Sequence, residues 1–329
     1  MTTVMTLNGI QGRNPNKDMA RNDLITQLQE VAKAQGHCGF VSMPASGWIA
    51  EKIMRGFCKD KGIPYKIIGI DNAQVGGETF NAIKQNMPKD DNFIIRWGDY
   101  DVNARRVVEF HNHDKKINAF WADYCGDFWF PKHPHGEKYP HFNAFFDIIK
   151  AMGDKPFVYY MTFRLFSRQG ENMNSDSKKY AGKIRQLIDT RYHQMVKSGK
   201  IKDNVIPVFQ WIYKGHHGDM ITIGFAVNMG KVNGGSFYAT LKNPELVSGL
   251  TFAIVNKIQL DPIKVEKSDV VKVKDAKASQ VVSPNLWKQA VKILYDGKIP
   301  NADIATLLNL SRSKVGAVLS HHCHPDSFK

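Results

Sequence analysis

Ile117 to Ala122 is a mostly apolar run that ends abruptly in Asp123-Tyr124-Cys125-Gly126-Asp127. A short, nearly continuous run of this kind is a strand buried on both faces. Strands of that type belong to α/β sheets, whose ligands gather outside the strands' carboxyl ends. Asp123 and Cys125 therefore stand where chemistry would collect, unless they simply terminate the strand.

The chain on either side repeats the same alternation. Apolar runs fall at Cys38 to Met43, Tyr65 to Ile70, Asn92 to Trp97, Phe157 to Phe163, Asn204 to Tyr213 and Met220 to Asn228. Helical spacing falls at Asp23 to Ala34, Ser46 to Lys61, Glu78 to Gln85, Phe142 to Met152 and Lys178 to Lys197. Runs alternating with helices predict a mostly parallel sheet covered on both faces. The turn Lys214-Gly215-His216-His217-Gly218-Asp219 joins the last two runs as a hairpin, which adds an antiparallel edge. No apolar run is long enough to span a bilayer, and Met1 to Leu24 lacks a signal-peptide core. The four cysteines include no C-x-x-C pair, which suits a reducing compartment. A cytoplasmic protein is expected.

A net charge of +14 over 329 residues argues for an anionic partner, nucleic acid first. Arg164, Arg168, Lys178, Lys179, Lys183, Arg185, Arg191 and Lys197 form a basic run past the fifth strand. Such a run is commonly a solvated face, but the overall charge favours a surface that meets phosphate. The loop Phe128 to His141 interleaves Lys132 and Lys138 with Trp129, Phe130 and Tyr139, a pattern that suits base stacking. His111-x-His113 on one strand, with His133-x-His135 and His141, invites a zinc site. Neither a cysteine pair nor H-E-x-x-H accompanies them, so no metal is expected.

The composition changes after Leu260. Residues 261–283 are rich in Lys, Asp and Val without Gly, as in a charged linker, with an extended edge strand as the alternative. Three short helices follow. Ser283, Asn301 and Ser311 stand as N-caps, and Ile304, Ala305, Leu307, Leu308, Val315, Val318 and Leu319 supply apolar positions. The order Ile-Ala-x-x-Leu-Asn-Leu-Ser-x-x-x-Val-x-x-x-Leu resembles the helix-turn-helix of small transcription regulators. Its third helix exposes Arg312, Ser313, Lys314 and Ala317, types suited to base edges and phosphates. A trihelical protein-binding module is the rival. The resulting division is 1–260 as an α/β domain, 261–283 as a linker and 284–329 as an all-α helix-turn-helix domain.

From Gly36 to Met229, the order of elements resembles the class I S-adenosylmethionine-dependent methyltransferase fold. That fold is a Rossmann-like, seven-stranded sheet whose sixth and seventh strands form a hairpin. The Ala122-Asp123-Tyr124-Cys125-Gly126 segment, with Thr162-Phe163-Arg164 at the next strand end, looks like methyltransferase-like proteins of phages and archaea. The resemblance implies S-adenosylmethionine as cofactor. It assigns the loop Ala45, Ser46 and Gly47 to the cofactor's carboxylate and sugar, Asp71 to the ribose and Asp99 to the adenine side. It assigns Asp123 to the methyl acceptor. The loop has one glycine where the family usually has two or three. Cys125 stands near the position at which cytosine-carbon methyltransferases place a Pro-Cys nucleophile. The proline is missing, and a small buried hydrophobe is the stronger reading for it. The expected function is an enzyme that methylates nucleic acid, double-stranded DNA before RNA, alone or as a homo-oligomer. The alternative is a non-catalytic DNA-binding or regulatory protein built on a degenerate methyltransferase fold.

Overall fold

The computed structural model describes residues 14–111, 117–127, 140–165, 177–215, 218–229 and 254–260. All of them lie in one compact unit, Asn14–Ile263. The linker and helix-turn-helix expected at 261–329 lie outside the described residues.

In chain order the elements are α1 (Pro15–Gln35), β1 (Cys38–Ser42), α2 (Ile49–Lys61), β2 (Tyr65–Asp71), α3 (Glu78–Asn86), β3 (Phe93–Trp97) and α4 (Tyr100–His111). They continue with β4 (Ala119–Asp127), α5 (Pro140–Met152), β5 (Phe157–Arg164), α6 (Ser177–Lys197), β6 (Val205–Gly215), β7 (Gly218–Val227) and β8 (Val255–Gln259). Among the described residues one sheet forms in the order β3-β2-β1-β4-β5-β7-β6-β8. β1 to β5 run parallel, β7 is antiparallel to β5 and β6, and β8 is parallel to β6. This is a Rossmann-like α/β arrangement, but it has eight strands rather than the expected seven. The β6–β7 hairpin is therefore internal, and β8 forms the edge. With the sequence V-N-K-I-Q and three of its residues exposed, β8 has too little apolar patterning to stand out as a strand.

The central strands follow from their composition. Every residue of β1 is buried, as is β5 from Phe157 to Phe163. Helices on both faces leave these strands no solvated side. β4 alternates cleanly, with Phe120 meeting Phe157 and Tyr159 on one face. On the other face Trp121 Nε1 donates to Thr162 Oγ1 at 3.1 Å, and Thr162 meets Thr222 Oγ1 at 2.9 Å. β4 also runs past Ala122, where the sequence suggests a stop. It pairs with β5 as far as Asp127↔Arg164, through an irregularity after Asp123. Asp123 and Cys125 thus lie within the strand.

α1 is longer than Asp23 to Ala34. Asn14 caps it, accepting from the Asn16 and Lys17 N–H groups, Pro15 opens the first turn, and left-handed Gly36 closes it. Its buried face, Leu24, Ile25, Leu28 and Val31, lies on the sheet, where Gln27 accepts from Tyr160 OH at 2.7 Å. α4 has no counterpart among the expected helices. Because His111 is its last residue, the premise that His111 and His113 alternate along a strand fails. Among the described residues no helix is long and apolar enough to cross a membrane.

Candidate functional site at the strand ends

Register places the acidic residues along one edge. Ser42 of β1 pairs with Gly69 of β2 and Trp121 of β4, so Asp71 and Asp123 stand level, two residues further on. Asp71 in turn pairs with Trp97, after which come Gly98 and Asp99. With β1 between them, Asp71 and Asp123 are about 10 Å apart at ordinary strand spacing.

Asp71 is half-buried, and burial raises its carboxyl above the usual range, while the Ala73 N–H, 2.7 Å from Oδ1, acts to lower it. Its carbonyl accepts from Gly98 N–H at 2.8 Å. Gly98 has φ 130°, and a Cβ there would sit 2.7 Å from Asn103 Nδ2, so the turn demands glycine. Asp99 is exposed, and its Oδ1 accepts from Asp101 N–H at 2.9 Å, which caps α4. Each carboxylate therefore has one oxygen in a local turn.

The loop after β1 is built around Trp48. Met43 N–H continues the ladder to Trp121 O, Pro44 is buried, and Ala45 and Ser46 are exposed. Trp48 is left-handed, with φ 52°, and fully buried; its Nε1 donates to Ile83 O at 2.8 Å. The Trp48 ring and Pro44 pack on Gly69, where a Cβ would meet them at 2.5 and 2.7 Å. Gly47 follows Ser46 in that loop, and no side chain caps the N-terminus of α2.

Asp123 is gripped from α1: Lys17 Nζ lies 2.8 Å from Oδ2, whereas Oδ1 is buried without a hydrogen bond among the described residues. Beside it, Ser42 Oγ donates to Glu51 Oε1 at 2.7 Å. Glu51 is 3% exposed in the first turn of α2. Burial raises its carboxyl; the Ser42 hydroxyl and Arg21 act to lower it, and Asp123 to raise it. Glu51 of α2, bonded to Ser42 at the end of β1, thus lies in the field of Asp123 of β4 and Arg21 of α1.

On the opposite face Tyr124 donates to Asp101 Oδ1, and His141 Nδ1 lies 2.7 Å from Asp101 Oδ2. Lys17, Glu51, Asp101 and the Asp101–His141 pairing have no signature in the sequence. The nearest signal for Asp101 is Asp99 standing as an N-cap before Ala104, Val107 and Val108. Arg164 ends β5 opposite Asp127, and among the described residues its buried Nε has no hydrogen bond. Cys125 falls within β4. Arg168, Arg312, Ser313, Lys314 and Ala317, with His113, His133 and His135, lie outside the described residues. On α6, Lys178, Lys179, Lys183, Arg191 and Lys197 are exposed and Arg185 is half-buried. A shallow hollow lined by Asp189, Thr190, His193, Gln194 and Lys197 lies on the second half of α6. Tyr192 there bonds Asp203 ahead of β6, which puts the hollow at the end of the sheet away from the acidic edge.

No family model matches the chain, and no curated protein does. Among solved structures, the chain is similar to a putative class I S-adenosylmethionine-dependent methyltransferase of Listeria monocytogenes. The identity is 8% and the TM-score 0.39, over 76% of this chain and 68% of that one. It is also similar to CmcI in its apo form, at 12% identity and TM-score 0.33, over 57% of this chain and 62% of that one. A third likeness is to the methyltransferase subunit of a type I restriction-modification system from Streptococcus thermophilus. The identity there is 12% and the TM-score 0.37, over 64% of this chain and 43% of that one. The chain thus spans less than two thirds of the length of the last two.

Proposed function

We propose that the α/β unit is an S-adenosylmethionine-dependent methyltransferase acting on nucleic acid, duplex DNA before RNA. In this reading the 284–329 helix-turn-helix, joined through 261–283, supplies the DNA contact. The observation that carries the reading is the acidic edge: Asp71 and Asp99 at consecutive strand ends, with Asp123 level with Asp71 across β1.

The residues fit the cofactor in three respects. Asp71 is half-buried and desolvated, a penalty that two ribose hydroxyls donating to its carboxylate would offset. The uncapped N-terminus of α2, beside exposed Ala45 and Ser46, leaves backbone N–H groups for a carboxylate. Asp123 Oδ1 is buried without a donor among the described residues and can take one from the acceptor side. When bound, the cofactor supplies an electrophilic methyl group on a sulfonium. Asp71 then holds the ribose, Asp99 flanks the adenine, and the Ala45–Gly47 loop carries the amino-acid end. Asp123 orients the acceptor once Lys17 yields to it.

A second reading, a non-catalytic DNA-binding protein on a degenerate methyltransferase fold, is favoured by Trp48 and Pro44 packing over Gly69 and by Lys17 neutralising Asp123. One titration separates the two readings. Calorimetry with S-adenosylmethionine is expected to give saturable heat with the wild type and much weaker binding with Asp71→Ala. Wild-type protein that shows no heat at millimolar cofactor would leave the second reading in place.

A further inference from the structure

The tip of β4 carries, on the face away from Asp123, a group of residues that the proposed function leaves unused. Tyr124 donates to one oxygen of Asp101, from the first turn of α4. The other oxygen takes Nδ1 of His141, from the first turn of α5, at 2.7 Å. The imidazole lies against the Tyr124 ring with centroids 3.8 Å apart, and Tyr124 stacks on Phe163 at 5.3 Å. The carboxylate fixes the edge of the imidazole and Tyr124 fixes its face. A carboxylate only accepts, so Nδ1 carries the hydrogen and the lone pair of the neutral ring is on Nε2. Among the described residues Nε2 has no hydrogen-bond partner, and the His141 side chain keeps 24% of its exposure.

We propose that His141, positioned by Asp101, is the proton acceptor for an N–H or O–H group on the nucleic acid that receives the methyl. The inference rests on the methyl-transfer reading. The acceptor's lone pair forms the bond to the methyl carbon, and the carbon–sulfur bond of the sulfonium donor breaks with its electron pair left on sulfur. The acceptor's proton passes to Nε2 of His141. The imidazolium so formed stays against the Asp101 carboxylate, which offsets its charge. This chemistry selects a nitrogen or oxygen acceptor over ring carbon, which needs a covalent thiolate adduct rather than a base alone.

The neighbours leave the task to His141. Among the described residues, the titratable groups gathered around the pair are Tyr100 from α4, Tyr124 from β4 and Tyr159 from β5. All three phenols are raised, by burial first and then by neighbouring acidic groups. They keep their protons near neutral pH and serve as donors or packing, so none of them competes as the base.

The test uses the full chain with ¹⁵N-labelled histidine, plus transfer from methyl-labelled S-adenosylmethionine to plasmid DNA and to bulk RNA. In wild type the ring is expected as the Nδ1–H tautomer, and methyl transfer to one of the two nucleic acids is expected to fall as Nε2 becomes protonated. Asp101→Asn removes the negative partner. It is expected to let the ring take the Nε2–H tautomer, read in the ¹⁵N spectrum, and to lower kcat with KM for the nucleic acid unchanged. A merely structural carboxylate would not change the tautomer. His141→Gln is expected to slow transfer at least about a hundredfold while the heat of cofactor binding is unchanged. Wild-type transfer rates in His141→Gln, or an unchanged tautomer with an unchanged rate in Asp101→Asn, overturn the proposal. So does a wild type that binds cofactor yet labels neither nucleic acid. Absence of cofactor binding in wild type instead removes the methyl-transfer reading itself, a result that calorimetry reports separately.

Discussion

Glu51, in the first turn of α2, accepts from Ser42 at the end of β1, while Asp123 of β4 pairs with Lys17 of α1. Burial raises Glu51, so from its ordinary value of 4.5 up to its raised value the folded chain holds more protons than the unfolded chain. Stability from this group is therefore full below the ordinary value and is lost as pH rises through the folded one. Glu51→Gln keeps an acceptor for Ser42 Oγ but cannot ionise. Urea unfolding across that pH window is expected to show a flatter dependence in the variant, with greater stability than wild type at neutral pH. An unchanged slope would mean that Glu51 does not titrate in this way. Asp71 is tested by affinity. A charge-assisted hydrogen bond to a ribose hydroxyl is worth about 1.5–3 kcal/mol, so Asp71→Ala should weaken S-adenosylmethionine binding roughly ten- to hundredfold per bond. Asp123→Ala should leave that affinity in place and abolish transfer, because its role is on the acceptor side. Equal losses of affinity in both variants would contradict the division of labour.

The connection between β1 and α2 depends on one side chain. Trp48 starts α2 from a left-handed backbone, fills the space over Gly69, and tilts against Phe93 at 5.7 Å between ring centroids. Trp48→Ala removes that ring and one of the two donors to the Ile83 carbonyl, and is expected to cost about 3–5 kcal/mol in denaturant titration. A loss under about 1 kcal/mol would mean that the loop repacks without it. The positions of β1 to β7 were legible in the sequence to within a few residues, except the carboxyl end of β4, because burial on both faces leaves runs such as Phe157 to Phe163 without polar interruption. α4 was not legible: its buried positions, Ala104, Val107 and Val108, are interrupted by exposed Val102 and Phe110, which blur the apolar stripe. The end of β4 was misjudged because Asp123 to Asp127 reads as a polar stop, whereas strand pairing continues through it. The same contrast holds at the site. Strand order alone aligned Asp71, Asp99 and Asp123: Asp71 ends β2, Asp99 follows β3, and Asp123 stands level with Asp71 within β4. Lys17 against Asp123, and Asp101 against His141, are contacts between distant elements, and no local spacing encodes them.

At the scale of the whole molecule, a net charge of +14 favours an anionic partner, which the proposed reading assigns to the C-terminal part. Residues 261–283 alternate Lys, Asp and Val without a continuous apolar face, so limited proteolysis is expected to cut there first and release two stable fragments. A segment that resists protease in the free protein would be a packed strand, and the division at 260 would be wrong. In the proposed reading, residues 284–329 carry duplex binding, and Arg312 and Lys314 of the expected third helix are the cations expected to meet phosphates and base edges. Each phosphate contact releases condensed counterions, so its loss lowers the slope of log affinity against log salt by about one unit. Arg312→Ala with Lys314→Ala should therefore weaken duplex binding most at low salt and flatten that slope by about one to two units, measured by fluorescence anisotropy over a salt series. If the double variant keeps both affinity and slope, the phosphate contacts belong elsewhere, and the exposed cations of α6, Lys178, Lys179 and Lys183 first among them, become the surface to mutate next.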